Sequence, residues 1–564
     1  MDDAHFDAVI VGSGFGGSVT AYRLAEAGLR VCLLERGKAY PPDSFPRAPH
    51  RMQKNFWDPS EGLYGMYNVW SFDRLGAVVC SGLGGGSLIY ANVLIRKDER
   101  WFVRENINDG GYEYWPVTRA DLDPHYDRAE KMLGATPYPF DRTTPKTREL
   151  KGAAQRLGLD WRLPNLAITF ANEGEDPVPG EPIREEHPNL HGRTRQTCRL
   201  VGECDFGCNY GSKNTLDYNY LSAAKRLGAE IRTLCEVRRF EPREGGGYAV
   251  HYVRHRPDPG REGLKTDTSA LHAQEITADR LILSAGTLGS SYLLLKNRGA
   301  FPGLSARLGT RFCGNGDLIT FAVRSSKEVG GKRVPRLIDG GYGPVITSAV
   351  RVADREDGGH GRGFYVEDAG YPEFVNWVLE AFDVPSNAVR SFWGDAFKRI
   401  RDRWLSREPD TDIGAEVTRL LGSTEFSSGL LPLLGMGRDI PNGTMDLRGG
   451  LLNVDWQVDE SMSYFNDIRE KMRDIAGELG ARYSDPLDHL NRLVTVHPLG
   501  GCPMGRNKTE GVVNPYGQVF DYPGFYIADG SVMPGPVGPN PSLTIAALAD
   551  RFADRIVEKK GADR

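Results

Sequence analysis

Residues 6–36 read FDAVIVGSGFGGSVTAYRLAEAGLRVCLLER, and this stretch decides the fold of the first part of the chain. The apolar run 6–11 predicts a buried strand, 18–27 predicts a helix, and 31–34 predicts a second strand. A glycine-rich turn joins the first strand to the helix. This order of elements is typical of a βαβ unit that holds a ligand at the turn.

The glycines of the turn have separate tasks. Gly12, Gly14 and Gly17 form G-x-G-x-x-G: the first allows a tight turn, the second lets backbone approach a pyrophosphate, and the third lets helix and strand pack closely. The helix N-terminus offers unpaired N–H groups to phosphates. Glu35 follows the second strand, where an acid accepts hydrogen bonds from a ribose and disfavours a 2′-phosphate. The pattern predicts a dinucleotide site. The alternative is a glycine-rich turn in an ordinary α/β unit.

Length and composition describe an ordinary globular chain. Its 564 residues are enough for more than one domain. Charged residues make up 26% of the chain and hydrophobic residues 40%, as in soluble proteins. The net charge of -5 comes with scattered lysines and arginines, so we expect no nucleic-acid partner.

The ends of the chain predict a cytoplasmic protein. Residues 1–5 are short and partly acidic and lack the apolar segment of a signal peptide. Residues 530–549 are uncharged and long enough to cross a bilayer. However, four prolines between residues 534 and 541 prevent a continuous helix through the first half of that stretch.

Three cysteines lie close together in sequence. Cys198, Cys204 and Cys208 are separated by five and three residues, which matches neither a C-x-x-C redox motif nor a zinc knuckle. We expect buried structural thiols in a tight turn and no metal site. A three-thiol metal site is the alternative.

Three later segments combine strands with glycine turns, as the first unit does. They are residues 77–90, 280–296 and 524–551. Between them lie a region with the charge alternation of a hairpin, 241–274, and an amphipathic helix, 459–479. We therefore expect a discontinuous cofactor domain at 1–95, 205–325 and 486–564. A substrate domain with covering loops is expected at 96–204 and 326–485, with the substrate site at the domain interface.

Two polar residues stand out late in the chain. His497 lies in VTVHPLGGCPMG, between a β-branched run and a proline–glycine turn, and Asn540 lies between two prolines in VGPNPSLTI. A histidine at such a place can accept a proton near neutral pH. Taken separately, a hydrogen-bonded structural histidine and simple turn chemistry account for the two residues as well.

Together with the opening stretch, these blocks resemble the glucose–methanol–choline (GMC) family of flavin oxidoreductases. The blocks stand in family order along the chain: GSGFGG, LLERG, GLGGGSL, SAGTLGS, HPLGGC and GSVMPGPVGPNP. Within the family, the cysteine cluster running into GSKNTLD makes the chain most similar to the bacterial cholesterol oxidase or dehydrogenase-like branch. The implied fold class is α/β (α+β overall), an FAD-binding glutathione-reductase-like Rossmann domain with an antiparallel-sheet substrate domain.

The resemblance also implies roles for single residues. The cofactor would be FAD, bound by Gly12, Gly14, Phe15, Gly17, Glu35, Gly85, Gly86, Ser87, Val237, Asp529, Gly530 and Asn540. Some family members attach FAD covalently through a histidine beside the glycine loop. Residues 77–91 contain no histidine, so we expect non-covalent FAD. One departure is that Tyr90-Ala91-Asn92 replaces the Asn-Gly pair of cholesterol oxidases.

The expected reaction is the oxidation of an alcohol, with hydride transfer to the flavin. His497 would accept or share the hydroxyl proton, and Asn540 would donate a hydrogen bond to the alcohol oxygen. The partners would be a small hydrophobic alcohol, of the sterol type or another, and O2 or another electron acceptor. A lipid substrate would add peripheral membrane contact. Aromatic and apolar residues suit such a substrate but are also typical of a core: Phe364, Tyr365, Trp377, Phe392, Trp393, Leu430 and Leu433.

Glu367 is the third candidate catalytic residue. In GFYVED, residues 363–368, the alternation places Glu367 on a different strand face from Phe364 and Val366. In cholesterol oxidases a glutamate on the substrate-domain sheet moves a ring proton after oxidation, and Glu367 has a comparable place in chain order. A buried carboxyl would suit that role. A solvated acid on a strand edge is the alternative.

Three other functions share part of the pattern. A nicotinamide dehydrogenase has the opening fingerprint but no reason for the C-terminal blocks. A flavin-dependent isomerase or decarboxylase would keep the FAD blocks with a different substrate pocket. A non-catalytic flavin-fold protein would have no need for both His497 and Asn540.

Overall fold

The structure is a computed structural model, and it describes residues 5–47, 53–106, 111–258, 260, 262, 264–372, 428–485 and 493–562. The opening βαβ unit is present as the strand His5–Val11, the helix Phe15–Glu26 and the strand Val31–Leu34. The helix begins three residues before the predicted start because the extended backbone of Gly14 forms its N-cap. Its first N–H groups therefore follow the second glycine of the fingerprint directly.

A seven-stranded sheet forms around this unit. Six strands follow one another across it in the order Glu230–Arg232, Val31–Leu34, His5–Val11, Ala273–Leu283, Tyr248–Arg254 and Cys235–Pro242. The first part of Ala273–Leu283 pairs antiparallel with Tyr248–Arg254, whereas its last three residues pair parallel with Phe525–Ile527. The predicted hairpin region is thus part of this sheet. The C-terminal segment returns to the first unit through its parallel half.

A second sheet has six strands, all antiparallel. Their spatial order is Asp160–Arg162, Ala349–Val352, Phe364–Asp368, Leu431–Gly437, Leu318–Val323 and Arg482–Ser484. Leu318–Val323, which lies within the range predicted for the cofactor domain, pairs within this sheet. The exact domain limits stay a prediction.

The other sheets are small. One contains Tyr67–Ser71, Leu75–Cys80 and Leu493–Thr495, and another contains Val93–Leu94, Thr136–Pro137 and Asn165–Leu166. The two-stranded pairs are Trp57–Asp58 with Leu63–Tyr64, Val103–Asn106 with Gly111–Tyr114, Thr310–Cys313 with Leu499–Gly501, Ser326–Val329 with Lys332–Pro335, and Thr444–Arg448 with Leu451–Asp455.

The remaining α-helices within the described ranges are Arg119–Leu133, Pro145–Arg156, Tyr220–Arg226, Gly286–Lys296, Met462–Glu478 and Ser542–Ala562. Short 3-10 turns lie at Pro59–Glu61, Gly85–Leu88, Glu99–Trp101, Cys204–Phe206, Arg298–Ala300, Arg355–Asp357, Val458–Ser461 and Gly530–Val532. None of the described helices combines the length and apolar character that a membrane span requires.

Two hydrophobic cores hold the two large sheets. The first packs the parallel strands against Phe15–Glu26 and Ser542–Ala562. The second places the apolar face of Met462–Glu478 against one face of the six-stranded sheet, where it contacts Phe364 and Val366. Tyr365 belongs to a third cluster on the opposite face. The predicted alternation along this strand is therefore present, and Glu367 lies on the face of Tyr365.

Candidate active site

The three glycines of the fingerprint meet different surroundings. A Cβ on Gly12, whose φ is +98°, would lie 2.3 Å from the carbonyl oxygen of Ser284, and one on Gly17 would lie 2.0 Å from that of Gly12. Both positions therefore exclude any side chain because of close backbone packing. A Cβ on Gly14 would meet no protein atom within 4 Å. Gly14 thus keeps open the space that the fingerprint reserves for a pyrophosphate.

A second glycine loop lies against the first. A Cβ on Gly85, whose φ is +53°, would lie 2.6 Å from the Cα of Gly14, whereas one on Gly86 would meet nothing within 4 Å. The buried Ser87 closes this loop, since its Oγ donates to the carbonyl oxygen of Gly84 at 2.7 Å. Backbone from the two loops thus forms one cradle without side chains, which fits the shape of an extended dinucleotide.

Ser13 connects the parts of this cradle, although no sequence pattern singled it out. Its Oγ donates to Glu35 Oε2 at 2.6 Å and accepts from the N–H of Gly84 at 3.0 Å. Glu35 also accepts from the backbone N–H of Ser13 at 3.1 Å and of Gly37 at 2.8 Å. The two oxygens of the Glu35 carboxylate can accept more hydrogen bonds than these. Glu35 is therefore fixed in orientation and still able to accept from a ribose hydroxyl.

Asp529 shapes the loop after the strand Phe525–Ile527. Its Oδ1 accepts from the N–H of Ser531 at 2.9 Å, and its Oδ2 accepts from the N–H of Gly286 at 3.0 Å and from Ser290 Oγ. Burial raises the pKa of Asp529, and these donors oppose that effect. Asp529 thus ties the C-terminal loop to the start of the helix Gly286–Lys296.

Two other predicted cofactor residues lie at close-packed places. A Cβ on Gly530 would lie 2.8 Å from Thr287 Oγ1, so the glycine is needed where the loop meets the same helix. Val237 is buried on the strand Cys235–Pro242 and pairs with Tyr252. Its contact with an adenine stays a prediction.

At residues 90–92, where the sequence departs from the cholesterol oxidase pattern, Tyr90 packs against other side chains. The ring of Tyr90 lies edge-on to that of Phe15 at 5.4 Å and beneath the Lys213 ammonium at 4.8 Å. Asn92 adopts a φ of 70°. Its buried amide atoms have no hydrogen-bond partner within the described part of the chain. Phe15 therefore lies between the fingerprint turn and the second loop.

His497 is held by an aspartate that sequence reasoning missed. Its Nδ1 lies 2.8 Å from Asp317 Oδ1, and its backbone N–H donates to Asp317 Oδ2 at 3.1 Å. The same Oδ2 accepts from the N–H of Val496 and from Thr495 Oγ1, both at 2.8 Å. An Nδ1–H that donates to Asp317 leaves Nε2 with its lone pair. The arrangement therefore presents Nε2 as a proton acceptor.

Asn540 and Glu367 lie together, although 173 positions separate them. Asn540 Nδ2 donates to Glu367 Oε2 at 3.3 Å. Asn540 Oδ1 and Glu367 Oε1 are buried and have no partner within the described residues. Burial raises the pKa of Glu367 to about 8; the Asn540 hydrogen bond opposes this, and the charges of Asp368 and Asp317 add to it.

The strand shows why Glu367 is buried. Phe364–Asp368 is an inner strand that pairs with both Ala349–Val352 and Leu431–Gly437, so Glu367 does not lie at an edge. The next residue, Asp368, faces other partners: it accepts from the N–H groups of Thr347 at 2.9 Å and Ser348 at 2.7 Å. Asp368 is thus a structural acid, whereas Glu367 keeps one oxygen unpaired.

The proposed substrate-lining residues divide into two groups. Trp377, Phe392 and Trp393 lie outside the described residues. The others are buried in the protein, as the ring contact of Phe364 with Tyr464 and the hydrogen bond of Tyr365 to Asp98 at 2.9 Å illustrate: Phe364, Tyr365, Leu430 and Leu433. These four residues serve as core.

Two groups of possible metal ligands lie near basic side chains of the protein. Cys204 begins a 3-10 turn. Its backbone carbonyl oxygen accepts from the Lys213 ammonium at 2.8 Å, and burial raises the pKa of its thiol. Elsewhere, His125, Asp550 and Asp554 lie close enough to share an ion. Arg128 donates to both carboxylates at 2.8 Å, and Arg23 also pairs with both, so two guanidinium groups already balance the two acids.

Comparison with known proteins defines the class. The family model for GMC oxidoreductase matches residues 188–305 and 465–549, and a model for the NAD(P)-binding Rossmann-like domain matches residues 10–40. The chain belongs to the GMC oxidoreductase family, which confirms the resemblance drawn from the sequence. It binds FAD and is an alcohol oxidase or dehydrogenase that acts on CH–OH donors.

Its relatives include enzymes with different substrates. A cholesterol oxidase of Mycobacterium tuberculosis is 30% identical over 99% of this chain and 92% of the relative. A cholesterol oxidase of Acinetobacter baumannii is 26% identical over 99% of this chain and 96% of its own. A 2-methyl-1,2-propanediol dehydrogenase of Mycolicibacterium austroafricanum is 26% identical over 98% and 95%.

Proposed function

We propose that the protein oxidises the secondary alcohol of a bulky, hydrophobic, sterol-like substrate and then moves a ring double bond into conjugation with the new ketone. The observation that carries this proposal is the fully buried Glu367, whose Oε1 has no partner among the described residues while Oε2 contacts Asn540. Oxidation of an alcohol needs one group that accepts a proton, which is the role proposed for His497. Moving a proton between two carbons of an apolar ring needs a second such group, and Glu367 lies next to Asn540.

In the oxidation, His497 and Asn540 act on the hydroxyl group. Asn540 donates a hydrogen bond to the alcohol oxygen, and His497 Nε2 takes the hydroxyl proton while Asp317 keeps Nδ1 protonated. Bound FAD would supply the acceptor for the hydride of the same carbon. The carbon loses two electrons as that hydride, the oxygen loses its proton to His497, and the product is a ketone.

In the isomerisation, Glu367 moves one proton. Its carboxylate takes the proton from the carbon between the ketone and the double bond, and the electron pair shifts into a dienolate. The protonated acid then returns the proton to the far end of the former double bond. Nothing is oxidised or reduced in this step. The raised pKa, about 8, suits a group that both takes and gives a proton near neutral pH.

Two cholesterol oxidases among the relatives support the sterol class, at 30% and 26% identity. A second candidate is a small hydroxylated substrate, since the propanediol dehydrogenase is also 26% identical. Because a sterol substrate would have to be taken from a lipid surface, contact of the protein with such a surface is part of this proposal. The exposed Val496 beside His497 supports such contact. The electron acceptor is O2 or another oxidant.

The test is anaerobic mixing of the purified protein with a detergent-dispersed 3-hydroxy-5-ene sterol, its saturated 3-hydroxy analogue, and 2-methyl-1,2-propanediol. We expect both sterols to bleach the visible flavin absorbance. Only the first should give the ultraviolet band of a conjugated enone. Bleaching by the diol alone would show that the sterol class is wrong.

Glu367→Gln tests the second half of the proposal. The variant should still reduce flavin with the unsaturated sterol but accumulate the unconjugated ketone, because glutamine cannot carry the proton. Asp368→Asn is the matched control, assayed above the pKa of Glu367 because the Asp368 charge raises that pKa. The neighbouring acid is bound to Thr347 and Ser348, so at that pH the ratio of conjugated to unconjugated product should not change. An unchanged ratio in Glu367→Gln would remove Glu367 from the mechanism.

A further inference from the structure

A four-residue turn, 314–317, reaches both of the loops that carry the candidate catalytic residues. The side chain of Asn315 uses its whole hydrogen-bonding capacity. Its Oδ1 accepts from the N–H groups of Val537 at 2.9 Å and Gly538 at 3.0 Å. Its Nδ2 donates to the carbonyl oxygens of Pro539 at 3.1 Å and Gly538 at 3.4 Å.

These four contacts hold the backbone next to Asn540. Pro539 precedes Asn540 directly, so the position of the Asn540 amide depends on the segment that Asn315 binds. The buried ammonium of Lys97 fixes the start of the same segment, where it donates to the carbonyl oxygens of Pro536 at 2.8 Å and Val537 at 2.9 Å. The loop of Asn540 is therefore held by side chains from two other parts of the chain.

Two residues later, Asp317 holds the other loop. It accepts from Thr495 Oγ1 and from the N–H groups of Val496 and His497, in addition to contacting the His497 ring. The loop that carries His497 and the loop that carries Asn540 are thus bound by side chains two positions apart. Their separation is set by one short piece of backbone.

The turn itself is rigidly held. Asp439 Oδ2 accepts from the N–H of Gly314 at 2.9 Å. The hydroxyl of Tyr464 donates to the carbonyl oxygen of Gly316 at 2.9 Å. A Cβ on Gly316, whose φ is +68°, would lie 2.2 Å from that hydroxyl. The backbone between Asn315 and Asp317 therefore has little freedom.

We propose that Asn315 and Asp317 are a pair of positioning residues that fix Asn540 and His497 at the separation which one alcohol group requires. The proposal rests on the proposed roles of Asn540 and His497, but it does not depend on a sterol substrate. Neither residue needs to touch the substrate. Misplacement of a reacting group by about 1 Å costs roughly a hundredfold in rate.

The first test uses Asn315→Gly, which removes the amide. Glycine tolerates the φ of 55° at this position. Flavin reduction at saturating alcohol should slow by about a hundredfold while FAD stays bound. The melting temperature should fall by some degrees, because four buried backbone groups lose their side-chain partner. Asp521→Gly is the matched control. Asp521 also has a positive φ, 67°, and lies on the surface, where it forms an ion pair with Lys508. It should reduce flavin at the wild-type rate.

Asp317→Asn tests the other arm. The amide NH2 that would replace Oδ1 cannot accept from His497 Nδ1, so the ring must carry its proton on Nε2 instead. Nε2 is then a donor and no longer accepts the hydroxyl proton. Nitrogen-15 NMR of the histidines at alkaline pH, with His497→Gln to assign the signal, should show the Nδ1–H tautomer in wild type and Nε2–H in Asp317→Asn.

Double-mutant cycles separate positioning from general damage. Asn315→Gly should cost almost nothing further in Asn540→Leu, and Asp317→Asn almost nothing further in His497→Ala. In the crossed pairs, Asn315→Gly with His497→Ala and Asp317→Asn with Asn540→Leu, the two fold-losses in rate should multiply. Multiplied losses in the first two pairs, or the same tautomer with and without Asp317, would overturn the proposal. If no alcohol reduces the wild-type flavin, the proposed function fails, and the tautomer measurement alone decides this inference.

Discussion

At the scale of single residues, two neighbouring acids on one strand have opposite uses. Asp368 is buried but accepts from two backbone N–H groups and from the Thr347 hydroxyl, and the ammonium of Lys146 lies 3.9 Å away. Within the described part of the chain, the Asn540 amide is the one hydrogen-bond partner of the Glu367 carboxyl. Burial therefore acts on Glu367 with little compensation, and its pKa is raised to about 8.

This raised pKa predicts a pH dependence for the isomerisation. Below about 8 the Glu367 carboxyl is protonated in the free enzyme and cannot act as a base; above about 8 the carboxylate is present. The proportion of conjugated ketone formed per alcohol oxidised should therefore rise with pH and level off above that value. Chromatography of the products across the pH range measures it, with Glu367→Gln as the control that should show no rise. A proportion that stays constant or falls with pH in wild type would contradict the role.

Residues of the site differ in how strongly the sequence indicates them. His497, Asn540 and Glu367 are predicted as candidates because a family resemblance singles them out. Asp317 and Asn315 were missed because an N-G-D sequence between two apolar runs is ordinary turn chemistry. Their function lies in hydrogen bonds to residues about 180 and 220 positions away, which no local pattern encodes. The catalytic roles of His497, Asn540 and Glu367 stay predictions.

At the scale of elements, the glycine turns act as a joined pair. The local βαβ pattern was enough to predict both strands of the first unit, because burial, periodicity and glycine spacing all act within 30 residues. The order of the six-stranded sheet could not be predicted. Its neighbours Leu318–Val323 and Arg482–Ser484 are joined only by long-range antiparallel pairing, and pairing of that kind leaves no periodic signal to say which strands meet.

The contact between the two loops predicts the effect of Gly85→Ala. The added methyl group would lie 2.6 Å from the Cα of Gly14, so one loop must move and the FAD cradle must widen. We expect the dissociation constant for FAD to rise at least about tenfold, a loss of about 1.4 kcal/mol. Flavin fluorescence quenching on titration of the FAD-free protein measures this.

Gly28→Ala is the matched control for that variant. Gly28 also has a positive φ, +72°, but a Cβ there would meet no atom within 4 Å. The strain of the backbone should therefore lower stability by about 1 kcal/mol, with FAD affinity unchanged. Equal losses of affinity in the two variants would mean that backbone strain, and not the contact between the loops, determines binding.

At the scale of the whole molecule, the candidate site lies beside the connection between a two-stranded pair and the six-stranded sheet. Thr310–Cys313 pairs with Leu499–Gly501, just after His497, and Leu318–Val323 continues into the sheet that carries Glu367. The turn 314–317 joins these two strands. Residues from four distant segments thus meet because one connection links the two-stranded pair to the six-stranded sheet, and substrate geometry depends on how that connection is held.

FAD binding should therefore stabilise the fold as a whole. The predicted FAD contacts come from the first unit, the second glycine loop, the strand Cys235–Pro242 and the C-terminal loop, so a bound cofactor joins segments that unfolding would separate. A ligand at a hundred times its dissociation constant adds about 2.7 kcal/mol to the free energy of unfolding. Protein stripped of flavin by acid ammonium sulfate should melt at a lower temperature and recover as FAD is added. FMN, which lacks the adenosine half that the fingerprint holds, should give almost no recovery.

The same stripping step tests whether FAD is bound non-covalently. Because residues 77–91 contain no histidine, we expect no covalent link, and the yellow colour should remain in solution. Colour that stays with the precipitated protein would instead show a covalent attachment at another residue.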